Sequence, residues 1–270
     1  MASAAFRDKY GPAALVTGGS EGLGAAFARE VASRGLDLVI AARRPGPLAA
    51  IAEELRSAHG VRVIPVVADA GSSEGLARIG DAAEEHGAHL FVHSAAVSTI
   101  GELTELSAET HESMVALNCR APALLSHRLG RAMAARGSGG IVLLSSLAGL
   151  TGTALVAHYA ATKAYQRVLA EGLWAELGPK GVDVLACLAG PTDTPTYRAG
   201  KPRGEAWMEW PPAMDPGAVA RETLAALGRG PVVVPGLGNK AADVVLRRLL
   251  PRSVAVRMMS DSTRRMYQKN

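Results

Sequence analysis

Residues 13–24 read Ala13-Ala14-Leu15-Val16-Thr17-Gly18-Gly19-Ser20-Glu21-Gly22-Leu23-Gly24, an apolar run that stops at a glycine-rich turn. The run predicts a strand over Ala13–Thr17, buried on both faces, and the periodic residues after the turn predict a helix over Gly22–Arg34. Glycines let the chain reverse sharply and bring backbone N–H groups close to a ligand. The helix start adds a dipole that favours an anion, so the turn suits a pyrophosphate. The spacing is Gly-x-x-x-Gly-x-Gly rather than the common Gly-x-Gly-x-x-Gly, and an ordinary strand-helix turn stays open as the alternative.

The alternation continues outward from this stretch. Further strands are predicted at Leu36–Ala41, Val61–Val67, His89–Ser94, Gly140–Ser145, Val182–Leu188 and Val232–Val234. Helical patterns fall at Leu48–His59, Glu74–His86, Ala108–Arg136, Tyr159–Leu177 and Pro216–Leu227. Strand-helix alternation implies an α/β fold, a doubly wound parallel sheet of about seven strands with helices on both faces. Residues 1–239 form one domain, and the tail 240–270 belongs to the same unit. The Pro/Gly-rich segment Ala189–Pro216 reads as a loop near the strand ends.

Composition narrows the function classes. The chain has 270 residues, 48% hydrophobic and 20% charged, with 4% aromatics, a globular make-up. No apolar stretch reaches the roughly 20 residues of a membrane span, and no secretory leader is visible, so a cytoplasmic protein is expected. Cys119 and Cys187 lack metal-like spacing and read as reduced structural thiols. From Lys240 onward the net charge is +6, while the first 239 residues carry −2. The basic character belongs to the tail, and no stripe of charge with interleaved aromatics points to nucleic acid.

The end of the second strand reads Ala41-Ala42-Arg43-Arg44. A carboxylate there would hold ribose hydroxyls, whereas arginines accommodate a 2′-phosphate, so NADP(H) is favoured and NAD(H) stays open. Glu21 in the glycine loop counts against phosphate affinity.

Tyr159 and Lys163 stand i, i+4 on a predicted helix, about 40° apart on one face. A phenol titrates near 10, and a nearby ammonium lowers that value by stabilising the phenolate. Ser145 and Ser146 end the preceding strand at the carboxyl edge of the sheet. A hydroxyl there can hydrogen-bond a carbonyl oxygen as charge develops on it.

Together Thr17–Gly24, Asn118, Ser146 and Tyr159-x-x-x-Lys163 resemble the short-chain dehydrogenase/reductase family, over about Ala13 to Pro195. The resemblance implies a hydride transfer between a nicotinamide cofactor and a carbonyl or secondary alcohol. Tyr159 would be the general acid/base and Ser146 the carbonyl-orienting group, with Ser145 its rival. Lys163 would lower the tyrosine pKa and hold the nicotinamide ribose, and Asn118 would position a water in the proton relay. For the cofactor it points to Thr17, Gly18, Ser20, Gly22, Leu23, Gly24, Arg43, Arg44, Asp69, Gly190 and Thr194, besides Tyr159 and Lys163. A homodimer or homotetramer is also implied.

Two departures from the family pattern stand out. His93-Ser94-Ala95-Ala96 replaces its Asn-Asn-Ala-Gly, with Ala96 narrowing the cofactor side, and Ala189-Gly190-Pro191 replaces its Pro-Gly. The first is the one support for a nucleotide-binding regulator or scaffold without turnover. Tyr197, Trp207, Met208, Trp210 and Met214 could form either a lid over the nicotinamide or a satellite core, and the lid reading suits an apolar ketone, steroid-like or acyl-chain compound. The tail, with Leu246, Leu249 and Leu250 beside Arg247, Arg248 and Arg252, reads as a helix docked on its own domain or, alternatively, on a membrane.

Overall fold

The structure is a computed structural model that describes residues 3–200 and 212–267. Helix α1 (Ser3–Tyr10) precedes strand β1 (Ala13–Thr17). There follow α2 (Gly22–Ser33), β2 (Asp37–Ala42), α3 (Pro45–His59), β3 (Val63–Val67), α4 (Ser73–Glu85) and β4 (Ala88–His93). The second half runs α5 (Ala108–Val115), α6 (Ala121–Arg136), β5 (Gly139–Ser146), α7 (Ala157–Leu177), β6 (Val182–Ala189) and α8 (Pro195–Gly200). It closes with α9 (Pro216–Ala226), β7 (Val232–Val233), α10 (Leu237–Val244) and α11 (Arg252–Tyr267).

All seven strands are parallel, in the order β3-β2-β1-β4-β5-β6-β7. Strand side chains alternate between faces, so each strand supplies two cores. Ala14 and Val16 pack with Phe27 and Val31 of α2 and Leu224 of α9 on one face. Leu15, between them, packs with Leu125 and Leu129 of α6 and Ala170 of α7 on the other. A strand apolar at every position therefore needs both helical layers, and burying each Val, Leu or Ile contributes about 1.5–3 kcal/mol.

Strand ends differ from the sequence reading by one or two residues, except β1, which matches. The single helix expected over Ala108–Arg136 is broken by a π-helical turn, Ala116–Arg120, which joins α5 to α6. Helix α1 was not foreseen; it docks through buried Phe6 and Tyr10, and Tyr10 donates to Asp183 at 2.5 Å. The tail is no free arm. Ala242, Leu246 and Ala255 are part of the core under β6 and α7. Among the described residues no helix is long and apolar enough to cross a membrane.

Candidate active site

The strand order reverses between β1 and β4, and a crevice opens at their carboxyl ends, where open α/β sheets bind ligands. The glycine turn is fastened to β2, with Gly18 N donating to Ala41 O at 2.8 Å. Gly22 has φ +55, and a Cβ there would lie 3.3 Å from Thr194. At Gly24 a Cβ would lie 2.0 Å from Gly18 O, so only glycine lets α2 approach the turn so closely. Glu21, the N-cap residue of α2, makes no side-chain cap. The first-turn N–H groups, those of Gly22, Leu23 and Gly24, are thus left for a ligand. Ser20 and Leu23 are half-buried on the same turn.

Some expected cofactor residues have other partners. Thr17 is fully buried, and its Oγ1 lies 3.0 Å from His93 Nδ1, opposite it in the β1–β4 register. Its side chain therefore ties two strands rather than lining the crevice. Burial pushes the His93 imidazole down to about 3, with the Lys163 charge adding to the effect, so it is neutral. The chain that closes on Gly18 is Ala95, while Ala96 is exposed. Arg44 is not free: its Nη2 lies 2.6 Å from Glu21 Oε2. Arg43 is exposed beside it. Asp69 is exposed, and its Oδ1 accepts from Gly71 N at 2.8 Å in a turn. Gly190 leaves room for Asn239, whose Oδ1 would lie 2.1 Å from a Cβ there.

On the other side of the crevice the two serines separate. Ser145, the rival for the serine role, is buried and donates to Lys163 O at 2.7 Å. Ser146 caps the turn after β5, its Oγ accepting from Ala148 N at 3.2 Å, and its hydroxyl lies near enough to the Tyr159 phenol to bear on its pKa. Tyr159, in the first turn of α7, is half-buried. Burial pushes its phenol up to about 12, the Ser146 hydroxyl pulls the other way, and Tyr267 at the end of α11 adds to the rise. The lowered phenol expected from the sequence is therefore not found. Lys163 lies beneath the ring, its Nζ 5.7 Å from the centroid, and is itself pulled down to about 8 by burial. Without solvent, burial acts on both groups more strongly than their mutual attraction.

Asn118 sits in the π-turn. Its Oδ1 accepts from Val97 N at 3.0 Å, and its Nδ2 donates to Val97 O at 2.9 Å and Thr162 Oγ1 at 3.0 Å. The side chain thus holds the loop after β4 against α7. Its backbone carbonyl accepts from Gln166 Nε2 at 2.8 Å. Gln166, unnoticed in the sequence, is fully buried and also accepts from Lys163. The tail matters too: Arg252 donates to Leu150 O at 2.7 Å, and Ser260 Oγ accepts from Ala154 N at 3.0 Å. Helix α11 thereby clamps the segment that leads to Tyr159. Of the proposed lid, Trp207, Met208 and Trp210 lie outside the described residues. Met214 bridges back to Thr192, and Tyr197 N donates to Thr194 Oγ1 at 3.2 Å.

Comparison with known proteins agrees with this arrangement. A 7β-hydroxysteroid dehydrogenase of Collinsella aerofaciens is 30% identical over 238 residues, 87% of this chain and 90% of the relative. A solved structure of a 7β-hydroxysteroid dehydrogenase, studied for its stereoselectivity, superposes with a TM-score of 0.88 at 28% identity, over 94% of this chain and 98% of the other. A short-chain dehydrogenase from Sphingobium yanoikuyae, solved with NADPH, gives 0.77 at 31% identity, over 85% and 90%. Residues 12–203 match the family model described as short chain dehydrogenase. With that match across most of the chain, and the glycine turn, Ser146, Tyr159 and Lys163 gathered on one crevice, the protein belongs to the short-chain dehydrogenase family of oxidoreductases.

Proposed function

We propose that the protein interconverts a secondary alcohol and a ketone on a bulky, largely apolar, steroid-like compound, with NADP(H) as cofactor. The observation that carries this reading is that Ser146 bears directly on the Tyr159 phenol while Lys163 lies beneath its ring, Nζ 5.7 Å from the centroid. The glycine turn, with the uncapped start of α2 and the close approach at Gly24, is suited to the pyrophosphate of a dinucleotide, and Arg43 and Arg44 suit a 2′-phosphate. In this reading Asp69 would contact the adenine, and Gly190 and Thr194 would contact the nicotinamide. The NADPH-bound relative supports the phosphate form, and the 7β-hydroxysteroid dehydrogenases support the substrate class.

The bound nicotinamide would supply or accept the hydride. In reduction, Tyr159 Oη gives its proton to the carbonyl oxygen while Ser146 Oγ donates a hydrogen bond to that oxygen. The Lys163 ammonium then stabilises the phenolate left behind, which the cost of burial would otherwise forbid. In oxidation the phenolate takes the proton back. Against the binding-only alternative, which rests on the altered segment His93–Ala96, the His93 side chain ties β4 to β1 through Thr17 Oγ1, a structural role.

A second copy of the chain is the expected partner. Ala161, Tyr165, Val168, Gly172 and Ala175 form an exposed stripe of small and apolar residues along α7. A panel of bulky and small ketones, assayed with NADPH and NADH, tests the whole reading. Turnover of bulky ketones with NADPH supports it, and no oxidation of NADPH by any ketone would overturn it.

A further inference from the structure

Gln166 stands three residues after Lys163, and no part of its side chain is exposed. A buried carboxamide needs partners for both ends. Here Oε1 accepts from Lys163 Nζ at 3.0 Å and Nε2 donates to Asn118 O at 2.8 Å. The orientation is unambiguous, because an ammonium only donates and a carbonyl only accepts. Asn118 O is presented by the π-turn Ala116–Arg120, where the helix ladder is widened.

An ammonium has three N–H donors. Leu144 O takes one at 2.7 Å and Gln166 Oε1 a second at 3.0 Å, which leaves a third donor beside the Tyr159 ring. We propose that Gln166 is a positioning residue for Lys163: it fixes where the ammonium points and keeps it protonated in a buried site. The inference rests on the Tyr159–Lys163 reading above.

The groups that bear on the ammonium are Cys119 on the π-turn, Cys187 on β6, His93 on β4 and Tyr159 on its own helix. No carboxylate is among them. Burial is the main force on Lys163 and favours its neutral form. The two carbonyl acceptors, Leu144 O and Gln166 Oε1, bond the ammonium and oppose that loss. Removing one should lower the pH at which Lys163 loses its proton. Replacing the carboxamide by a carboxylate should raise it.

The test is a titration of the cofactor-free protein labelled at lysine and followed by nuclear magnetic resonance. The chain has six lysines, Lys9, Lys163, Lys180, Lys201, Lys240 and Lys269, which keeps the spectrum simple. Gln166→Met keeps the volume and removes the bond, and the Lys163 midpoint is expected to fall by about one unit or more. Gln166→Glu is expected to raise it by a similar amount, and the alkaline limb of kcat should move the same way in each variant. Midpoints unchanged in both variants, or moved in one common direction, would overturn the proposal even if activity fell. If Gln166→Met does not fold, the absence of an upward shift in Gln166→Glu overturns it alone. Turnover is not needed for this readout, so failure of the Tyr159 assignment would be seen separately.

Discussion

Glu21 and Arg44 set up a competition at the adenosine end of the crevice. Replacing Glu21 by glutamine removes the carboxylate that holds the Arg44 guanidinium at 2.6 Å, with the fold of the turn left to its backbone bonds. The two side chains are 45% and 56% exposed, so solvent screens the pair strongly. Exposed ion pairs contribute about 0.2–1 kcal/mol, and NADPH has to displace this one to reach the arginine. Glu21→Gln is therefore expected to tighten NADPH roughly 1.5- to 5-fold. NADH, which lacks the 2′-phosphate, should bind as before. Isothermal titration calorimetry with both cofactors measures this directly, and the gain should shrink as salt is added. Arg44→Ala should weaken NADPH and leave NADH unchanged. Equal changes for the two cofactors in Glu21→Gln, or weaker NADPH binding, would refute the competition and the 2′-phosphate role of Arg44.

Other consequences follow from the same geometry. Tyr159 is protonated throughout the neutral range and Lys163 titrates near about 8, so ketone reduction should be level below that pH and fall above it. Alcohol oxidation, which needs the phenolate of Tyr159 to accept a proton, should rise with pH through neutrality as that form becomes more populated; kcat profiles in both directions check the signs. Ser145→Ala should lower stability by about 0.5–1.5 kcal/mol in thermal unfolding, because its buried bond to Lys163 O is lost, with little effect on kcat, whereas Ser146→Ala should lower stability by a similar amount through its lost cap and also lose roughly 10²–10³ in kcat. Val168→Glu should place a charge in the α7 stripe and yield monomers by analytical ultracentrifugation, and unchanged assembly would rule that face out.

Periodicity made the fold legible. Leu15 and its neighbours are apolar at successive positions because β1 is covered on both faces, and no other strand environment accepts such a run. The glycine turn was legible for a similar reason, since Gly24 has no room for a side chain. What escaped depends on contacts between distant segments. The π-turn at Ala116–Arg120 carries no local signal; it is a change of hydrogen-bond register settled by packing. In the sequence only its spacing to Tyr159 favours Ser146 over Ser145; the strand's alternation, which turns Ser145 inward to Lys163 O, is what separates the two physically. The lowered phenol pKa inferred from Tyr159 and Lys163 assumed a fixed ammonium, but burial weakens that charge as well. Gln166 did leave a trace, a carboxamide three residues from Lys163 on the inner face of the helix. Phe6 and Tyr10, four residues apart, likewise marked α1.

Tyr159→Phe tests the central claim most directly, since it removes one oxygen and keeps the ring. Calorimetry should find NADPH bound almost as tightly as by the parent protein. Single-turnover reduction of a bulky ketone should slow by roughly 10²–10⁴, the contribution of a positioned proton donor. A variant that reduces the ketone at the parent rate with the cofactor bound would contradict the assignment of Tyr159 as the acid and base of this site.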